Sequence, residues 1–231
     1  MSGVRLREAG VLIALGVCGV AMNQFFFVLG LGYTSVAHAA ILIGLTPVQV
    51  LLLAAAARQE TLTGRKLIGL GIALAGVAAL QISRVGGAAP SFAGDALILL
   101  SGFCLAVYSV FGKRVTARHD SVTMNMYAYV GGAVALSPIL VWNAPHIDFA
   151  SVRAAAWLSI AYMAVFSSVV SYLIYNYALA RMAASRVSAF SYLQPFLATL
   201  MAIPILGEHL TAPLLFGGAM VMTGVWVTER G

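Results

Sequence analysis

No Asp, Glu, Lys or Arg interrupts the chain from Ala9 to Ala57. A soluble fold has no use for so long an uncharged stretch, because its surface must be covered with polar groups. Further uncharged runs follow at Leu67–Ser83, Ala96–Gly112, Ser121–Ile147, Ala154–Ala180, Val187–Gly207 and Leu210–Thr228. A membrane-spanning helix needs roughly 17–25 apolar residues, and these runs match that length. Charged residues make up 9% of the chain and hydrophobic residues 61%, where a soluble domain carries about 25% charged. That balance excludes a soluble globule, and the high apolar content excludes disorder. The lipid bilayer is the first partner this chain requires.

The first run is too long for one helix, and Gly30-Leu31-Gly32-Tyr33-Thr34-Ser35 supplies a break near its middle. The expected fold is therefore an all-α integral membrane protein with eight transmembrane helices: A 9–31, B 36–57, C 65–82, D 95–115, E 122–142, F 156–179, G 186–206 and H 211–229. Spans of a β-barrel would be about ten residues of alternating polarity, which these are not. Arg5 and Arg7 precede an apolar stretch as in a signal peptide, but that stretch runs on into Phe25-Phe26-Phe27, so it reads as the first span.

Eight spans put the N-terminus, the B–C, D–E and F–G loops and the C-terminus on one face. That face holds Arg5, Arg7, Arg58, Arg65, Lys66, Lys113, Arg114, Arg118, Arg181, Arg186 and Arg230, while the other holds Arg84 and Arg153. Eleven against two is a positive-inside signal, which predicts a multi-pass protein of the cell (plasma) membrane with both termini cytoplasmic. The net charge of +6 is then topology, and no nucleic-acid partner is implied. Cys18 and Cys104 lie inside spans A and D, which argues against a disulfide, and neither has metal-ligand spacing. No metal and no cofactor is expected.

Sliding the chain on itself by 148 residues aligns Pro47 with Pro195, Glu60 with Glu208, Leu62-Thr63 with Leu210-Thr211, Gly69 with Gly217 and Gly76-Val77 with Gly224-Val225. Spans A, B and C thus repeat as F, G and H. The two sets are an odd number of spans apart and cross the membrane in opposite directions, an inverted-topology repeat of the kind found in secondary transporters. The repeat divides the chain into a three-helix first half, 1–85, and a five-helix second half, 94–231. This 3 + 5 arrangement implies a 5 + 5 parent.

A proline within a helix, then Glu-x-Leu-Thr, then a Gly-rich helix, occurs at Thr46-Pro47 with Glu60–Thr63 and again at Gln194-Pro195 with Glu208–Thr211. This doubled set resembles the drug/metabolite transporter superfamily, specifically its EamA-type members. The resemblance covers essentially the whole chain. It implies a ten-helix transporter of small metabolites, often an exporter of amino acids or related compounds, from which this chain departs by lacking two N-terminal helices.

Pro47 and Pro195 are expected to kink their helices. Glu60 and Glu208 read as structural corners, with Thr63 and Thr211 capping the next helix. Gly69 and Gly76, like Gly217 and Gly224, share a helix face and suit close helix contact. Polar groups within spans are the candidates for a substrate cavity, because lipid penalises them unless they face a partner or a wet space. Repeat-equivalent pairs give the core of the set: Asn23 with Ser171, Gln24 with Tyr172, Phe27 with Tyr175, and Thr46 with Gln194. Gln49 and Ser191 lie one turn from Thr46 and Gln194, and Tyr108 adds a further candidate, with Asn125 and Asn176 behind it.

No charged side chain sits near a midplane, and the chain holds no His-Glu-x-x-His, Gly-rich phosphate loop or paired acidic motif. Ser168 and His38 lack the surroundings of a nucleophile elbow. An enzyme is not expected. The leading expectation is an alternating-access exporter of amino-acid-like or other neutral or zwitterionic compounds, with a homo-oligomer as an open option. The alternative is a truncated, non-transporting membrane protein or interaction partner.

Overall fold

Inside lipid a backbone amide finds no water, so an uncharged run satisfies its hydrogen bonds within a helix. The computed structural model describes residues 6–34, 36–81, 91–194, 196–197, 201 and 212–231, and no strand occurs among them. In chain order the helices are α1 (Leu6–Leu31), α2 (His38–Ala56), α3 (Gly64–Gln81), α4 (Phe92–Thr116), α5 (Ser121–Asn143), α6 (Ala154–Arg181), α7 (Ala184–Ala189) and α8 (Ala212–Glu229). Among the described residues five stretches are long and apolar enough to cross a membrane: α1, α2, α4, α5 continued to His146, and α6. The stretches expected as spans C and H form the 18-residue helices α3 and α8, which are not among these five. Span G is described mainly at its start, as α7 and the 3-10 turn Phe190–Tyr192. Pro195 and Glu208 lie outside the described residues, as do Arg84 and Thr211.

Local chemistry sets the helix ends. Ser91 caps α4 by accepting from Gly94 N at 3.1 Å, and Asp120 caps α5 by accepting from Thr123 N at 3.2 Å. Thr63 Oγ1 accepts from Lys66 N at 3.3 Å, which places the threonine of the Glu-x-Leu-Thr segment as the start of α3. Arg58, at φ 54°, takes the left-handed turn that ends α2. Pro47 opens a fresh helical segment: Val36–Ile43 ends, a turn passes through Gly44 and Leu45, and Thr46–Ala56 begins. In that position its missing N–H costs no internal bond.

Two irregularities recur at the repeat spacing. A π-helical segment interrupts α1 at Val17–Met22 and another interrupts α6 at Met163–Val170, overlapping at the 148-residue offset. The turn that splits α2 at Gly44–Leu45 has the 3-10 turn Phe190–Tyr192 near its counterpart. Each π segment carries an extra residue and is followed at once by a cavity candidate, Asn23 in α1 and Ser171 in α6.

Glycines decide the closest contact. A Cβ built on Gly69 would stand 2.7 Å from Gly224 O, and one on Gly76 would stand 2.7 Å from Gly217 O. α3 and α8 thus run antiparallel with their backbones touching, which dispersion between helices in lipid rewards. α1 packs on α4 and α5 in the same way, with Gly19 against Tyr108 and Gly16 against the backbone of Ala128.

The basic residues collect at one end of the bundle, at the start of α1, the α2–α3, α4–α5 and α6–α7 turns and the end of α8; we call this the basic end. The Arg181 guanidinium lies 3.5 Å from the Tyr177 ring centroid and that of Arg230 lies 4.1 Å from Trp226, cation–π pairs of the kind suited to a membrane interface.

Candidate functional site

A cavity of about 510 Å³ lies where α2, α6 and the α7 region meet, with Val77 of α3 and Leu105 of α4 at its sides. Small-molecule sites usually fall between roughly 300 and 1,000 Å³. Its polar lining comes from Thr46, Ser167, Ser171, Tyr172, Tyr175, Ser191, Tyr192 and Gln194, and its apolar lining includes Ala40, Ile43 and Gly44. Among the described residues no charged side chain lines it.

Six of the sequence candidates come together here: Thr46, Ser171, Tyr172, Tyr175, Ser191 and Gln194. Their partners define what each can offer. Tyr172 donates to Gly19 O at 3.2 Å, and the Tyr175 hydroxyl meets Ser109 Oγ at 2.6 Å. Both rings therefore wall the cavity while their oxygens tie α6 to α1 and α4. Ser171 and Ser191 turn their hydroxyls to Phe166 O and Ser188 O of their own segments. A serine bonded to its own helix is satisfied, yet still presents acceptor lone pairs.

Asn23, Gln24, Phe27, Gln49 and Tyr108 are not among the lining residues. Asn23 is buried and donates to Ser101 O at 2.8 Å, and Gln49 donates to Leu99 O at 3.2 Å. Tyr108 is fully buried and donates to Asn176 Oδ1 at 2.9 Å. Gln24 is exposed and Phe27 half-buried. Asn23, Gln49 and Tyr108 act as interhelical ties, the ordinary fate of a polar group in a span.

Ser167 and Tyr192 are the lining residues that pattern reading missed. Under the repeat offset their counterparts are Gly19 and Gly44, so a search for paired polar positions passes over both. Tyr192 is 2% exposed, and its hydroxyl has no hydrogen-bond partner among the described residues; the same holds for Thr46 Oγ1. A buried hydroxyl without a partner wants a ligand or a water. Tyr192→Phe is expected to leave thermal stability within about 0.5 kcal/mol of the parent and to lower transport severalfold. Tyr108→Phe strands Asn176 Oδ1 and is expected to cost about 1–2 kcal/mol with activity per folded molecule retained. Unfolding curves paired with transport rates separate the two.

Toward the basic end, an apolar cluster packs against Tyr175 of the cavity wall. Val50 and Ala54 of α2, Ala106 and Val110 of α4, Leu179 of α6 and Ala184 and Val187 of α7 form one buried cluster. Near this cluster, Glu60 is held between halves of the chain. Its Oε1 accepts from Ser185 N at 3.0 Å, and its Oε2 accepts from the Ser185 hydroxyl and from Lys66 Nζ at 2.9 Å. Burial alone would raise the Glu60 pKa, but the donors from Ser185 and Lys66 together hold it below its ordinary value. Around it Gln59 donates to Val110 O, Arg114 to Ala57 O and Lys113 to the carbonyls of Leu179 and Met182.

The EamA-like transporter family model matches residues 2–81 and 92–230. The chain belongs to that family. It is thus a multi-pass membrane protein of transport and not an enzyme. A protein of Archaeoglobus fulgidus known only as an uncharacterized transporter is 30% identical over 98% of this chain and 80% of its own. One from Streptantibioticus cattleyicolor, described as a probable terminal-alkyne amino-acid exporter, is 29% identical over 98% of this chain and 75% of its own. A solved crystal structure with 20% identity superposes with a TM-score of 0.81 over 96% of this chain and 76% of its own, which shows a shared fold.

Proposed function

We propose that this protein exports small neutral or zwitterionic metabolites of the amino-acid kind, by alternating access around the cavity between α2, α6 and α7. The lining carries the proposal: among the described residues it offers hydroxyls, aromatic rings and one amide, with no charged side chain. Such a surface can hydrogen-bond an ammonium and a carboxylate that neutralise each other, whereas a doubly charged phosphate ester would enter without counter-ions. The amino-acid exporter among the relatives points the same way.

The halves that move are residues 1–85 and 94–231, related as an inverted repeat with eight membrane crossings. Three features support this. The π segments of α1 and α6 overlap at the repeat spacing, as sequence-equivalent helices related by a pseudo-two-fold axis would have them. The breaks before Thr46 and before Gln194 fall close to corresponding positions. Gly69 meets Gly224 while Gly76 meets Gly217, so exchanging each glycine for its repeat equivalent returns the same two contacts. A pseudo-two-fold axis through the α3–α8 seam would produce that exchange.

The eleven-to-two charge asymmetry supports a basic end that faces the cytoplasm, in a protein of the cell membrane. A reporter fused after Gly231 is expected to respond as cytoplasmic and one inserted within Gly86–Ser91 as extracytoplasmic; the reverse pattern contradicts the inverted arrangement. Purified protein in liposomes preloaded with a neutral amino acid is expected to accumulate the labelled compound by counterflow. Sugar phosphates should compete poorly, and a preference for them overturns the assignment.

A second reading draws on α6. Its most apolar stretch has no buried residue, although Ser167 and Ser171 of this helix line the cavity. A membrane protein that keeps the fold without a sealed pathway would show such a flank, and it would give no counterflow for any solute.

A further inference from the structure

Resting on the alternating-access reading, we propose that Glu60, Lys66 and Ser185 form a latch that holds the basic end of the pathway shut, and that the repeat supplies no equivalent latch at the far end. The latch joins parts of the chain that the transport cycle must separate. Glu60 lies in the α2–α3 turn of the first half; Ser185 lies in α7 of the second half, 125 residues later. The Glu60 and Lys66 side chains are only 5% and 7% exposed, so the pair is shielded from water and from salt. The apolar cluster around Val50, Val110 and Val187 packs against Tyr175 of the cavity wall and against Ala57, three residues before Glu60.

Opening the basic end requires α7 to leave α2. That motion takes two donors from one carboxylate, the Ser185 amide and the Ser185 hydroxyl. Hydrogen bonds to an ionised group are the stronger class and keep a net advantage over the bonds to water that replace them, so losing them biases the equilibrium toward closure. Lys66 remains beside Glu60 because both belong to the same turn and helix start, so it keeps the carboxylate charged and ready to be recaptured. The same motion must release Gln59 from Val110 O and Arg114 from Ala57 O, which join α4 to the α2 end across the halves, while Lys113 keeps α4 bound to the α6 end within the second half.

The repeat makes the asymmetry legible. At the 148-residue offset Glu60 corresponds to Glu208, but Lys66 corresponds to Leu214 and Ser185 to Ala37. The glutamate was kept in both halves, while the ammonium and the hydroxyl occur in one set only. A cation and a hydroxyl at one set of repeat positions, with leucine and alanine at their equivalents, give the two faces unequal closing energies. The protein therefore rests closed at the basic end.

The test uses the full chain with Cys18→Ala and Cys104→Ala and a single reporter, Ser191→Cys, in the cavity wall. A membrane-impermeant maleimide is applied to oriented vesicles from each side. The reporter is expected to react from the far side and at least about tenfold more slowly from the basic side. Glu60→Gln and Ser185→Ala should raise the basic-side rate, roughly tenfold for Glu60→Gln and less for Ser185→Ala, which keeps the amide bond. Glu229→Gln removes a partner of Arg186 at 3.9 Å within the second half and should change nothing. The latched carboxylate sits below its ordinary pKa, so its contribution is present above the ordinary carboxylate range and is lost only as pH falls through the lowered value. With Lys66 and, farther off, Lys113 facing it as cations, the ratio of basic-side to far-side labelling, in which the pH dependence of the thiolate itself cancels, should stay flat from about pH 8 to 5.

If Glu60→Gln fails to fold, Ser185→Ala carries the result, since it removes a single oxygen. Unchanged basic-side labelling in a folded variant, with the parent still labelled only from the far side, overturns the latch and leaves alternating access standing. A parent labelled equally from both sides, or from neither, overturns the alternating-access reading itself.

Discussion

Gly217→Leu is expected to remove most folded protein from the membrane. A Cβ at this position would already stand 2.9 Å from Gly76 O and 2.9 Å from Leu80 Cγ, and leucine adds three more carbons beyond it. Overpacking a core costs about 1–3 kcal/mol when side chains can give way. Here the obstacle is backbone, so α8 must move away from α3 and lose contact along its length. In lipid that contact is the main attraction between the helices. Gly71→Leu, on the same α3 but with nothing within 4 Å of its would-be Cβ, serves as the control and should be close to neutral. Yield of monodisperse protein and thermal unfolding read the difference. Equal behaviour of the two variants would show that the seam does not hold the halves together.

The second large effect falls on transport. Gln194→Ala takes the one amide out of the cavity lining, next to the segment that begins at Pro195. Loss of a hydrogen bond to a charged substrate group is worth about 1.5–3 kcal/mol, or at least roughly tenfold in transport efficiency. The side chain is exposed toward the cavity, so stability should change by no more than about 0.5 kcal/mol. Asn23→Ala offers the opposite signature. Asn23 is buried and bound to Ser101 O, so its removal should cost about 1–2 kcal/mol of stability and spare activity per folded molecule. Should Gln194→Ala instead collapse the fold while activity per molecule holds, the amide is an interhelical tie and the cavity assignment falls with it.

The class of the molecule was legible because lipid imposes a single rule. Uncharged runs of the right length must be helices, and the basic residues between them collect on one side. The glycine seam was legible too, since Gly69, Gly76, Gly217 and Gly224 carry their spacing openly and small residues in spans have few other uses. Polar residues were harder. Asn23, Gln49 and Tyr108 look identical in sequence to Thr46 and Gln194, but each reaches a carbonyl or amide on a neighbouring helix, and which neighbour stands within reach is a matter of tertiary packing. Tyr192 and Ser167 escaped because glycine fills their repeat-equivalent positions. The π segments left no sequence mark at all, although they rotate α1 and α6 just before Asn23 and Ser171. The latch could not be read either: Glu60 suggested a corner, and nothing in the chain indicates that a serine 125 residues later would complete its coordination.

The central claim is that substrate sits in the cavity between α2, α6 and α7, and substrate protection tests it most directly. Single cysteines are placed at Ser191, which lines the cavity, and at Val122, which is 64% exposed near the start of α5. Alkylation rates are measured with and without a saturating transported amino acid. The account predicts that the amino acid slows alkylation at Ser191 by about fivefold or more, as expected for a site mostly occupied at saturation, and leaves Val122 unaffected. Equal rates at Ser191 with and without a solute that the protein demonstrably transports would contradict it.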